Sequence, residues 1–155
     1  MIRPPERRMG TQGFTFITGK GGLAMSAQEN IQIVQSYLAG HDPQFMVEDA
    51  TFRDFSRDEP LRGREAIGAM LDMFYHTAFS EARAEPRNLV ADSERVVLEF
   101  TFRGVHTGDL MGIPPSGRRV QIPMCAVYDV EGGVIRHARL YYDSATLAKQ
   151  LGLSG

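Results

Sequence analysis

The chain changes its hydrophobic period twice. Ser26-Ala-Gln-Glu29 puts a serine at a helix N-cap with a glutamate three residues on, which is a capping box. Ile31, Val34, Tyr37 and Leu38 then share one face of a helix that ends near Gly40. Tyr37 lies on the buried face, where its hydroxyl needs a partner. His41-Asp42-Pro43 breaks the pattern, and residues 44–47 have room for about one helical turn. Gly63 opens a second helix over roughly residues 64–79. Ile67, Met70, Leu71, Phe74 and Ala78 form its stripe, widened by Met73 and Tyr75, with His76 off the stripe and expected to be solvated. From Ala82 the period drops to about 2. Residues 82–91 form a weakly patterned strand and Asp92-Ser93 a turn. Val96, Leu98, Phe100 and Phe102 then alternate with Arg95, Glu99, Thr101 and Arg103 in a half-buried strand. The same parity carries His106 onto the apolar face. Residues 107–119 (TGDLMGIPPSGRR) form a loop with unusually apolar members, suited to a lid over a pocket or to a plug or dimer contact. Residues 120–130 are apolar on both sides, so the strand is expected to be covered on both. Glu131-Gly132-Gly133 is a hairpin turn, 134–143 is the last strand, and Ser144 is expected to cap a short helix bearing Leu147 and Leu151.

This order predicts an α+β domain, with helices on one face of a curved, mostly antiparallel sheet that encloses an apolar pocket. One layer of helices cannot cover both sheet faces, so a homodimer is expected. Residues 1–24 are rich in Gly, Arg and Pro and are read as a flexible extension, with Met25 as the natural start and 25–155 as one domain. Gly19-Lys20-Gly21 does not make a phosphate loop: the spacing from Gly13 is one residue too long and no Ser or Thr follows Lys20.

Composition narrows the classes. A chain of 155 residues that is 43% apolar and 23% charged suits a single globular core. A net charge of −2 leaves no basic footprint for nucleic acid or an anionic membrane. No apolar run approaches the roughly 20 residues that span a bilayer. The single cysteine, Cys125, cannot form an internal disulfide and fits a cytoplasmic setting. Nine phenylalanines and eight methionines suit an irregular apolar cavity as well as a core. Phe52, Met70, Phe74, Phe100, Phe102, Met111 and Met124 are the candidate walls. The four histidines show no metal-ligand spacing.

The candidate chemistry centres on Asp49-Ala-Thr-Phe-Arg-Asp54-Phe-Ser-Arg-Asp-Glu59-Pro60-Leu-Arg-Gly63. In an extended segment Phe52 and Asp54 share a face, with Arg53 and Phe55 opposite. A carboxylate on an apolar face is desolvated and made more basic, which suits a general base near neutrality. The plainer reading is a solvated turn residue ahead of Pro60 and Gly63.

Two stretches carry a family resemblance. His106-Thr-Gly-Asp-Leu-Met-Gly-Ile-Pro-Pro-Ser-Gly-Arg-Arg119, Tyr128-Asp-Val-Glu-Gly-Gly-Val-Ile-Arg136, Tyr141-Tyr-Asp143 and Lys149-Gln-Leu-Gly152 together resemble the SnoaL-like polyketide cyclases. These belong to the nuclear-transport-factor-2-like (NTF2-like) cone folds. The run from Asp49 to Gly63 resembles the ketosteroid isomerases of the same superfamily. The resemblance implies a cofactor-independent, metal-independent enzyme of enolate chemistry, an isomerase or aldol-type cyclase acting on an apolar carbonyl compound. It implies Asp54 as the base, Tyr37 or His106 as the donor to the enolate oxygen, and Tyr128, Tyr142 and Asp143 as lining or orienting groups, the alternative for Asp143 being to cap the last helix with Ser144. Two positions depart from the families. The isomerases' second oxyanion donor falls near Cys125, and the cyclases' catalytic aspartate falls at Leu140, where limonene-epoxide hydrolases also need an aspartate. A hydrophobic-ligand-binding cone without turnover is therefore the rival expectation, an epoxide-hydrolase-like enzyme a further one, and a cone filled by its own Phe and Met side chains that works only through dimer contacts another.

Overall fold

Burial along the strands shapes the molecule. In the strand Arg119–Glu131, every even-numbered position from Val120 to Val130 is buried, while the odd positions are half-buried or exposed. Strict alternation means that one face of the sheet is packed and the other is not. The expectation that both faces of this strand are covered therefore fails within a single chain.

The computed structural model describes residues 14–16 and 26–153. In chain order the elements are β1 (Phe14–Phe16), α1 (Ala27–Gly40), a 3-10 turn (Pro43–Phe45), β2 (Met46–Asp54), β3 (Leu61–Arg62) and α2 (Arg64–Asp72), followed by a π-helical turn (Met73–Ala78). Then come β4 (Phe79–Ala91), β5 (Arg95–His106), β6 (Arg119–Glu131), β7 (Val134–Tyr142) and α3 (Ser144–Gln150). The strands form one seven-stranded sheet in the order β1-β4-β5-β6-β7-β2-β3. The pairs β1–β4 and β2–β7 are parallel and the rest antiparallel. Register shifts in β4, between Ser80 and Arg83 and between Pro86 and Asn88, bend the sheet as bulges do. The result is an NTF2-like cone, with three helices on the concave side of a curved mixed sheet.

Within the expected extension, Phe14–Phe16 pair with Leu89–Ala91; the rest of residues 1–24 lies outside the described residues. Two expectations need correction. The second helix is α-helical only to Asp72 and then widens into the π turn. A π turn keeps a helix-like pattern, so periodicity cannot separate the two. Asp143, not Ser144, caps the last helix, its Oδ1 accepting from the backbone N–H of Ala145 and Thr146.

The helix α1 forms as its sequence predicts. Ser26 Oγ accepts from Glu29 N at 3.1 Å. The helix ends at His41, whose φ of 52° is left-handed and whose N–H bonds the Tyr37 carbonyl. Asn30, fully buried, donates its side-chain amide to Asp92 O at 3.0 Å and so ties α1 to the β4–β5 turn.

Candidate active site

The concave face leaves a cavity between α1, the π turn and the sheet. About 100 Å³ is open to the centre of a water molecule, within an envelope of about 890 Å³ that includes the mouth. That is room for several waters or a small apolar ligand. The wall is built by Tyr37, Leu38 and His41 at the end of α1, and by Met70, Leu71, Met73, Phe74 and Tyr75 from α2 and the π turn. Phe100, Met124, Ala126, Tyr128, Leu140 and Tyr142 supply the sheet side, with Phe52, Asp54 and Arg57 from β2 and its following turn. Leu110 and Met111 of the 107–119 loop also line it.

Most predicted site residues therefore converge: Asp54, Tyr37, Phe52, Met70, Phe74, Phe100, Met111, Met124, Tyr128 and Tyr142 all line one cavity. Two do not. Phe102 is fully buried behind Phe74, with ring centroids 4.8 Å apart, and packs edge-on against Phe79. His106 lies near Phe79, at 5.5 Å, and away from the cavity wall. Its Nδ1 accepts from Ser116 N at 3.1 Å, so in the neutral ring the proton sits on Nε2, a buried atom without a partner. His106 thus fastens the end of the 107–119 loop and is withdrawn as an enolate donor. Cys125 likewise points away: its neighbours Met124 and Ala126 line the cavity, and by strand alternation Cys125 faces the opposite side.

Asp54 ends β2, opposite Leu140 of β7. Its Oδ1 accepts from Ser56 N at 2.9 Å, and its Oδ2 accepts a long 3.3 Å bond from the Tyr142 hydroxyl. Ser56 Oγ lies 3.2 Å from the same hydroxyl. The carboxylate is thus held in one orientation at the edge of an apolar wall. Asp143 stays on the outside, occupied in capping α3.

At the other end of the wall, aromatic groups bearing polar atoms cluster. Tyr37 is edge-on to His41 (5.4 Å) and to Tyr128 (6.3 Å), and His41 packs on Tyr75 at 4.7 Å. Tyr37 is 2% exposed, and among the described residues its hydroxyl has no partner. Burial pushes the Tyr37 and Tyr128 hydroxyls far above the usual phenol range and Tyr75 up to about 12. Burial pushes His41 below its ordinary value, assisted by His76. At neutral pH this end therefore offers neutral phenols, which can donate to a developing oxyanion without themselves carrying charge. Among the described residues no three His, Cys, Asp or Glu side chains converge as metal ligands would.

Sequence reasoning missed His41, Tyr75 and Arg57. His41 was read only as part of a helix break. Tyr75 showed as a widening of the apolar stripe, which was signal enough. Arg57 reaches the cavity through the turn in which its N–H bonds the Asp54 carbonyl at 3.0 Å, a local fold that alternation does not forecast.

The loop is fixed to the π turn. Thr107 and Gly108 both donate their N–H to Ala78 O, and a Cβ on Gly108 would lie 2.0 Å from Thr77 O, so only glycine fits. Leu110 and Ile113 bond reciprocally around Met111 and Gly112, both left-handed, as in a type I′ turn.

Residues 41–151 match the family model for SnoaL-like polyketide cyclases. Among solved structures, one described as a SnoaL-like polyketide cyclase from Jannaschia sp. CCS1 is 17% identical, with a TM-score of 0.73, covering 88% of this chain and 100% of that one. TsrD from Streptomyces laurentii is 23% identical with a TM-score of 0.72, covering 84% and 99%. A limonene-epoxide-hydrolase-like (LEH-like) epoxide hydrolase from M. tuberculosis is 20% identical with a TM-score of 0.64, covering 81% and 90%. At these identities the likenesses establish the fold. No curated protein gives a significant match.

Proposed function

The chain belongs to the SnoaL-like polyketide cyclase family, and from that premise we propose that its cavity performs enolate chemistry on an apolar carbonyl compound. Asp54 takes a proton from the carbon beside the carbonyl. The C–H electron pair moves into the new C–C double bond, and the carbonyl oxygen becomes the enolate oxygen. The Tyr37 hydroxyl donates to that oxygen, while Tyr142 and Ser56 hold Asp54 in register. The enolate then either takes the proton back at another carbon, as in an isomerase, or its carbon attacks a second carbonyl, whose π pair moves to oxygen and takes up the proton from Asp54, as in an aldol cyclase.

The observation that carries this reading is the pairing of two groups in one apolar cavity: a fixed carboxylate at Asp54 and a buried, unpartnered hydroxyl at Tyr37. A buried hydroxyl without a partner costs stability, on the order of 1–3 kcal/mol, and a ligand oxygen would relieve that cost. One such donor to an oxyanion is worth on the order of a hundred-fold in rate. A homodimer, built through the uncovered sheet face, is part of the same proposal.

Leu140 favours a second reading. It lines the cavity beside Asp54, at the position where the resembled cyclases carry an aspartate, and it has no titratable group. A cone that binds an apolar ligand without turning it over would need no acid there. Exchange of the α-protons of 2-tetralone into D2O, followed by NMR, separates the two readings. The enolate reading expects catalysed exchange in the wild-type protein and a loss of at least about a hundred-fold in Asp54→Asn with the fold intact. Exchange unchanged by Asp54→Asn would end it.

A further inference from the structure

Among the described residues the wall of the cavity contains one permanent cation, Arg57, and nothing in the proposed enolate chemistry uses it. The turn after β2 delivers it. Asp54 Oδ1 accepts from Ser56 N, and Arg57 N–H closes onto the Asp54 carbonyl, so the chain folds back and brings the Arg57 side chain to the same cavity as Asp54. Arg57 also borders a small recess shared with Phe52, Asp54, Leu61 and Met70.

Among the described residues ion pairs tie up Arg83, Arg87, Arg95, Arg103, Arg119, Arg136 and Arg139, whereas Arg53, Arg57, Arg62, Arg64 and Arg118 make none; of these Arg57 is the one that lines the cavity. The adjacent Asp58 and Glu59 leave it unpaired as well. Among the described residues its Nη2 meets only the Met111 thioether, at 2.8 Å, a weak acceptor on the 107–119 loop. A half-buried guanidinium with five donors and one soft contact is an incomplete site. Planar oxyanions complete such a fork bidentately. Apart from Arg57 the polar wall is a carboxylate, neutral phenols and a histidine whose burial disfavours its charge, so an anionic group entering the mouth has one place to go.

We propose that Arg57 docks a carboxylate carried by the ligand, so that the natural ligand is an apolar carbonyl acid held by its acid group at the mouth. This rests on the reading of the cavity given above and adds a specificity determinant to it. The Met111–Arg57 contact makes the loop part of the device: an acid seated on Arg57 displaces the thioether and settles beneath Leu110 and Met111.

The test compares two fluorescent probes that differ only in a carboxylate, 2-naphthol and 6-hydroxy-2-naphthoate, with wild type, Arg57→Gln and Arg57→Lys at low and at high salt. The wild-type protein is expected to bind the naphthoate at least about tenfold more tightly than the naphthol. That advantage should shrink with salt, vanish in Arg57→Gln and return in part in Arg57→Lys, while naphthol affinity stays within about twofold throughout. Equal binding of the two probes by the wild type overturns the inference. So does a naphthoate preference that survives Arg57→Gln. Equal weakening of both probes in Arg57→Gln overturns it too, because the guanidinium would then be acting on the shared hydroxyl. In each of these cases the enolate cavity stands. If the wild-type protein binds neither probe, the cavity reading falls and this inference with it. Should Arg57→Gln fail to fold, Arg57→Lys keeps the inference falsifiable: a naphthoate advantage left at its full wild-type size by the loss of the guanidinium fork overturns it.

Discussion

At the scale of single residues, the cavity sets stability against function at Tyr37. Its hydroxyl is buried without a partner, so Tyr37→Phe should raise thermal stability by about 1 kcal/mol. The same change should weaken binding of 2-naphthol at least about tenfold. Denaturant melts and fluorescence titration check the two halves, and a destabilised Tyr37→Phe would show that the hydroxyl has a partner after all. His41 gives a pH signature. Burial depresses its proton affinity in the folded chain, so the unfolded chain takes up a proton first as pH falls below about 6.5. Stability present above that pH is therefore lost as pH falls towards the folded value. Melting temperatures between pH 8 and 5.5 should show the loss, and His41→Asn, which tolerates the left-handed backbone, should flatten it. Parity in the sequence was enough to set Asp54 with Phe52 and to turn Tyr37 inward. It was not enough for His106. Alternation gives the face of a strand but not the position along it, and His106 sits at the far end of β5, where the interior is filled by Phe79.

At the scale of elements, the loop and the π turn behave as one unit. Gly108→Ala would force a Cβ against Thr77 O and should cost about 2 kcal/mol or more. Gly40→Ala is the control: nothing lies within 4 Å of its Cβ at the end of α1, so it should be neutral or stabilising by up to about 1 kcal/mol. Equal melting temperatures for the two variants would contradict the account of the loop anchor. The elements themselves were largely legible. The capping box at Ser26, the stripe from Ile67 and the alternation from Val96 to Phe102 are local signals, and each became the element it predicted. The π turn was not legible, because its side chains repeat much as a helix does. The cap of the last helix was legible only to within a residue, because Asp143 and the adjacent Ser144 are equally suited to capping by residue type; Asp143 takes the position.

At the scale of the whole molecule, the cone follows from bulged strands and one layer of helices, and it leaves the other face of the sheet open. Val97 and Val127 are register partners there and only half-buried, and Phe55, 51% exposed, stacks on Tyr141 at 4.8 Å. Sedimentation velocity at micromolar concentration is expected to show a dimer. A monomer would contradict that part of the proposal. The central claim, an enolate site around Asp54, is tested most directly by titrating the wild-type protein and Asp54→Asn with 2-naphthol across pH. The account predicts tight binding by the wild type that tightens further in Asp54→Asn, because neutralising the carboxylate removes a charge facing the bound ring system and its oxyanion. Weak and equal binding by both proteins would contradict it and leave Asp54 a turn residue at the rim of a structural cone.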